Sequence, residues 1–306
     1  MTTLPLPLGT TVFRTFQQRR SILCFIIASI FFSQVVEAAN SLVASPNTQF
    51  SGKQGEVLWL EIPVNNPQSH VSGVLLKRKI PFFRKTDNTF AALVGIDMQD
   101  PPGTHKMNIT LQSTDQTEHI TYSVDILKEK YAVQHLTLPK KKVDLDSQTL
   151  KRVKIEQKEM LAAFNHIGPQ PLWDGSFLEP TKGKVTGRFG SRRVINGQHK
   201  RPHSGEDIAA PRGTPVLAIN KGTVVAAVDH FFSGKGVIID HGVGLFSMYF
   251  HLSEIDVQPG QTLHKGEALG KVGATGRATG PHLHWGIRLN GARVNPYALT
   301  ALPLEN

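Results

Sequence analysis

The sequence is poor in cysteine: of 306 residues only Cys24 is one, and it lies inside the apolar run from Ile22 to Val36. A single thiol excludes an internal disulfide framework, so a packed core rather than covalent staples must hold the fold. Acidic side chains are also scarce. Lysine and arginine number 34 against 24 aspartates and glutamates, a formal charge of +10 with a pI near 9.7. That balance favours anionic partners: a lipid surface, a cell-wall polymer or nucleic acid. Nucleic acid is not expected, because the basic residues are scattered and no helix-turn-helix or zinc-finger spacing occurs; the one dense run, Lys140-Lys141-Lys142, reads as solvated surface. No long internal repeat and no low-complexity tract is present. Long apolar runs are missing too. Ile22–Val36 is broken by Ser29, Ser33 and Gln34 and falls short of the roughly 20 apolar residues of a membrane span. Arg14, Arg19 and Arg20 precede it and Val36-Glu37-Ala38-Ala39 follows, the basic, apolar, small-residue order of an export signal. Residues 1–39 are therefore expected to be a signal peptide, with a retained anchor as the alternative. Cys24 lacks the Leu-x-Gly context of a lipoprotein signal. Cleavage takes three positive charges and one negative from the +10, leaving +8, no thiol and no stable membrane span. A chain this long builds an adequate core without staples.

What is present beyond residue 39 is mainly β. Val57–Ile62, Val71–Leu76, Phe90–Ile96, His105–Leu111 and His119–Leu127 are short runs rich in β-branched, aromatic and leucine residues, separated by turn material such as Asp100-Pro101-Pro102-Gly103. The spacing predicts a small antiparallel, immunoglobulin-like sandwich over residues 40–135; Pro101-Pro102-Gly103-Thr104 resembles the penultimate turn of such domains. It carries no cluster of histidine and carboxylate, so no chemistry is assigned to it. Residues 136–176 are charged, and Leu145–Phe164 has helical spacing with Asp144 or Asp146 available as a cap, which predicts a helical linker. Glycine-punctuated strands return over 177–306, at Pro215–Asn220, Gly222–Val228, Val237–Asp240, Phe246–His251 and Leu283–Leu289. They predict one compact, strongly coiled antiparallel sheet.

Three stretches of this region carry candidate chemistry. In Gly280-Pro281-His282-Leu283-His284-Trp285-Gly286, strand alternation turns His282 and His284 to one face and Leu283 and Trp285 to the other. His203-Ser204-Gly205-Glu206-Asp207 and Tyr249-Phe250-His251-Leu252-Ser253 add two histidines and a carboxylate. Imidazoles serve as metal ligands or general bases; ordinary half-buried histidines are the plain alternative.

In this order, with Gly213-Thr214-Pro215-Val216 between the first two pieces, these residues resemble the lysostaphin/LytM-type zinc metallopeptidases, over about residues 183–297. The resemblance implies one Zn²⁺ per chain, held by His203, Asp207 and His284, with His282 as catalytic base and His251 as the second catalytic histidine, stabilising the tetrahedral intermediate. It implies a substrate class as well, the peptide cross-links of bacterial peptidoglycan. Two imidazoles and a carboxylate leave a fourth zinc position open, as hydrolytic sites require. The expectation is an exported endopeptidase of the periplasm or cell envelope whose partners are peptidoglycan peptide stems. Its alternative is a catalytically silent wall-binding regulator of other wall hydrolases. A biotinyl- or lipoyl-type carrier barrel is disfavoured, because no lysine occupies the hairpin such carriers modify. No oligomeric state follows. Elsewhere, His241 is expected at a turn and His199, His230 and His264 at the surface. Arg277 reads either as a solvated loop residue or as a contact to a substrate carboxylate, and Gly187–Arg193 as a stretch that either lines the groove or does not. Thr275–Gly280 precedes a strand rather than a helix, which excludes a phosphate loop.

Overall fold

The structure is a computed structural model that describes residues 41–43, 48–66 and 68–304; the expected signal segment lies outside them. Among the described residues no helix is long and apolar enough to cross a membrane. The chain is mainly β, as its patterning predicts.

Two sheets enclose the first core. One runs in the order Ser41–Val43, Val57–Pro63, Thr89–Gly95, Phe83–Thr86; the other Gln49–Lys53, Thr117–Leu127, Gly103–Gln112, His70–Leu75, Arg78–Pro81. Leu60, Ile62, Ala92 and Val94 meet Phe50, Val71, Met107, Ile109 and Val124 between them. Strand His70–Leu75 alternates strictly between exposed and buried, the mark of a sheet with one wet face. The pairing is not wholly antiparallel as expected. The chain enters along one sheet and then the other, so Ser41–Val43 runs parallel to Val57–Pro63 and Gln49–Lys53 parallel to Thr117–Leu127.

Val57–Ile62 behaves differently from the alternating strands: every residue in it is buried. A continuous apolar run means burial on both faces, and the second face belongs to the other half of the chain. Trp59, Phe83, Ala91 and Leu93 join Phe177, Leu289, Ala292 and Val294 in one core. Burying a side chain of this size contributes roughly 1.5–3 kcal/mol. Polar contacts fix the same junction: Arg293 Nη2 donates to Asp97 Oδ1 (2.7 Å), and Asn295 N–H donates to Gly55 O (2.7 Å). Burial opposes the charge on Asp97, but the Arg293 hydrogen bonds hold its carboxyl below the usual range.

Between the halves, Val133–Leu136 pairs in parallel with Arg192–Ile195. The helix Ser147–Ala162 follows, capped by Asp146, whose side chain accepts from Thr149 N–H (2.7 Å). Its packing is lighter than the spacing predicts. Met160 and the following Ala163 and Phe164 rest on Ile238, Phe246, Met248 and Phe250, while Leu150, Ile155 and Leu161 stay exposed. His230, expected at the surface, is buried beneath this helix, 3.3 Å from Glu159.

The third sheet positions the candidate site. Its main path is Lys184–Gly187, Gly205–Ala209, His282–Leu289, Leu245–Ile255, Gly234–Asp240, Gly222–His230 and Thr262–Leu263. Every pairing along that path is antiparallel. Strand His282–Leu289 lies between the strands that carry Asp207 and His251.

Candidate metal centre

Alternation along His282–Leu289 does what the sequence predicts. Leu283 and Trp285 are fully buried in the core, so His282 and His284 face the opposite side. Register sets Asp207 directly across from His284 on strand Gly205–Ala209. His203 precedes that strand, and paired backbone bonds tie it to the neighbouring turn: His203 N–H to Ser191 O (2.9 Å) and Gly190 N–H to His203 O (2.7 Å).

His251 reaches the same face by a different route. Tyr249 and Leu252 both point into the core, so the two residues between them share the other face. They form a bulge, with Phe250 and His251 together opposing Gly236. His251 adopts φ +65°, a left-handed conformation that a non-glycine residue keeps only where its surroundings enforce it. Glycine is required opposite, since a Cβ on Gly236 would lie 2.3 Å from Phe250 Cδ1. Phe250 in turn stacks on the His284 ring at 5.9 Å with planes 9° apart.

Three donor atoms converge. His203 Nε2, Asp207 Oδ1 and His284 Nδ1 are 2.9 Å apart in every pair, and all three residues are buried. Their protonation tests whether a cation fits. His203 Nδ1 lies 3.0 Å from Arg188 O, a carbonyl that only accepts, so the ring proton sits on Nδ1 and Nε2 is bare. Burial keeps this ring neutral, its pKa lowered to about 4. Burial pushes the Asp207 carboxyl the other way, but the flanking His203 and His284 hold it far below the carboxylate range, so it is ionised. Two lone pairs therefore face one another with no proton between them, and a cation removes that conflict. Two imidazole nitrogens and one carboxylate oxygen make a donor set suited to zinc.

The two remaining histidines stand beside this triangle. His251 Nδ1–H donates to Thr275 O (2.8 Å) and His282 Nδ1–H to Gly280 O (2.8 Å), which leaves Nε2 bare on each. The rings are 4.7 Å apart, and His282 Nε2 is 3.8 Å from Asp207 Oδ1. Burial, followed by the nearby His282 and His284, lowers the pKa of His251 to about 3. All five residues singled out from the sequence thus meet in one site. His241 does not join them; it is buried elsewhere, bonded to Lys221 O and Ser247 Oγ (2.8 Å each).

Sequence reasoning missed the far side of Asp207. Arg193 Nη2 donates to its Oδ2, and Arg193 Nε donates to Gln134 Oε1 (3.1 Å) from the linker strand. Gly187 completes the fit, since a Cβ there would lie 2.3 Å from Asp207 Oδ2. Arg193 orients the carboxylate so that Oδ1 faces the histidines. Arg193→Ala is expected to weaken metal binding by about 10–100-fold, the usual effect of losing a group that orients a ligand; competition with a chelator of known affinity measures it.

Comparison with known proteins falls on the same segment of the chain. Residues 201–296 match peptidase family M23. Peptidoglycan DD-endopeptidase ShyA of Vibrio cholerae is 41% identical over 117 residues, which is 38% of this chain and 27% of that protein. DD-carboxypeptidase/endopeptidase Mpg of Neisseria meningitidis is 45% identical over 120 residues, 39% of this chain and 27% of that protein. The chain thus aligns with about a quarter of the length of either relative. A crystal structure assigned to peptidase M23 from Pseudomonas aeruginosa is similar over far more: 31% identity, TM-score 0.63, covering 85% of this chain and 97% of its own.

Proposed function

The chain belongs to peptidase family M23, a zinc metallopeptidase family, and from that premise we propose that it is a zinc endopeptidase that hydrolyses peptide cross-links of bacterial peptidoglycan in the cell envelope. The observation that carries the proposal is the triangle of His203 Nε2, Asp207 Oδ1 and His284 Nδ1 at mutual distances of 2.9 Å, with two further imidazoles beside it. Those three atoms would hold one zinc ion. When bound, zinc polarises a carbonyl and lowers the pKa of water from 15.7 to about 7.

The chain's own groups supply the rest. His282 Nε2 is bare and aimed at the triangle, so it takes the proton of the attacking water and passes it to the leaving amine as the C–N bond breaks. His251 has committed its Nδ1–H to Thr275 O. Burial keeps this ring neutral, so its bare Nε2 accepts from the attacking water and orients it on the way to the tetrahedral intermediate. The catalytically silent alternative loses ground, because a regulator has no need of a complete ligand set with two poised bases. Support for the envelope comes from the basic charge, the export-signal pattern and the peptidoglycan in the name of ShyA.

Incubation with purified peptidoglycan tests the reading. New amino termini at peptide cross-links, lost on chelation and restored by one equivalent of zinc, are expected. Intact cross-links after incubation with the zinc-loaded protein sink it.

A further inference from the structure

Two loops grip His251. Its backbone N–H donates to Ser233 O (2.9 Å) and its ring Nδ1–H to Thr275 O (2.8 Å). The same loops touch through Phe232 and Arg277: Arg277 N–H donates to Phe232 O (2.8 Å), and the guanidinium lies 4.2 Å from the Phe232 ring centroid. Arg277 is therefore fixed by its backbone and by stacking, two residues from the carbonyl that holds His251. It is half-buried, yet among the described residues no carboxylate pairs with it, whereas Arg193 is committed to Asp207. Positive charge accumulates around it. Burial first, and Arg193 second, lower its pKa, and Lys142 Nζ donates to Gly276 O (2.8 Å). A guanidinium remains charged even so, and its planar fork matches a carboxylate in two-point contact. A half-buried, immobilised cation without a counter-ion, beside a hydrolytic centre, is arranged for an anion that arrives with the substrate.

We propose that Arg277 is the substrate-carboxylate site: it binds a free carboxylate of the peptide next to the bond being cut, and so selects cross-links whose acceptor residue carries that carboxylate. The inference rests on the peptidase reading above and adds the determinant of specificity. It resolves the choice left open by the sequence between a solvated loop arginine and a substrate contact.

A pair of cross-linked peptide dimers provides the test. They are identical except that the diaminopimelate carboxyl adjoining the scissile D-alanyl bond is free in one and amidated in the other. The zinc-loaded wild type is expected to cut the free form with kcat/KM about 10–100-fold higher. Arg277→Ala should lose that factor on the free form alone, with zinc content unchanged, and Arg277→Lys should recover part of it. Equal wild-type rates on the two forms overturn the proposal and leave the peptidase reading standing. So does an Arg277→Ala enzyme slowed equally on both, which marks a merely structural role. Cleavage of neither form by the zinc-loaded wild type brings down the peptidase reading, and this proposal with it.

Discussion

Asparagine at position 207 is expected to leave a folded protein that retains no zinc and hydrolyses peptidoglycan more than about 10³-fold more slowly. Asp207 answers two opposite demands. Its Oδ2 accepts from Arg193, while its Oδ1 faces the nitrogens of His203 and His284 at 2.9 Å each. Arginine has only donors, so the amide of asparagine must turn its oxygen toward Arg193 and its NH₂ toward the histidines. Hydrogen bonds then satisfy the bare His203 nitrogen where a cation would have done so, and the one anionic ligand is gone. Alanine is the poorer test. It strips the half-buried Arg193 of its counter-ion, and breaking such a pair costs up to about 3–5 kcal/mol, which confounds lost metal with lost fold. Zinc analysis, circular dichroism and turnover on the same preparation measure the outcome. A folded Asp207→Asn protein with stoichiometric zinc and full turnover removes Asp207 from the ligand set.

How much of this site could be read from the sequence depends on how local each contact is. His282 and His284 sit on one strand, where alternation alone gives them a common face, and His203 and Asp207 are four residues apart in one segment. Those positions were legible. His251 was legible as a histidine closing an apolar strand, but strict alternation would have sent it into the core between Tyr249 and Leu252. The bulge opposite Gly236 puts it on the other face, and no period-2 pattern reports a bulge. Arg193 was not legible at all as the partner of Asp207. Its contact depends on the parallel pairing of Val133–Leu136 with Arg192–Ile195, a pairing between segments that no short-range pattern links. The linker strand was missed for the same reason. The junction between the halves left a trace that could have been followed: Val57–Ile62 is apolar on both faces apart from Glu61, and a strand on a free-standing sandwich needs only one such face. Glu61 is accommodated because Trp59 Nε1–H donates to its Oε1 (2.8 Å). The helix shows the converse. Its spacing predicted an apolar stripe, but only the C-terminal turn and the residues just beyond it find a partner, since amphipathic periodicity says which side is apolar and not what covers it.

His282→Ala separates holding the metal from using it, and is expected to keep one zinc per chain while lowering kcat by about 10²–10⁴-fold, the range for a lost general base. His282 is outside the triangle: its Nε2 lies 3.8 Å from Asp207 Oδ1, whereas the three donors are 2.9 Å from one another. Removing the ring leaves each donor with its own orienting contacts, Arg188 O for His203, Arg193 for Asp207 and the stacked Phe250 for His284. The ring is half-buried at the mouth of the site, so the space it vacates fills with water rather than becoming a dry cavity. The loss should fall on kcat with little change in KM, because proton transfer is an interaction made in the transition state alone. Added imidazole, which can occupy the vacated space, should restore part of the rate. Full turnover in the folded His282→Ala protein removes the base assignment and passes the role to His251, whose Nε2 is the other bare nitrogen in the cleft. Loss of zinc together with turnover makes His282 a ligand instead, and the triangle would then have to be redrawn as a closed four-ligand site, which is a structural rather than a hydrolytic arrangement.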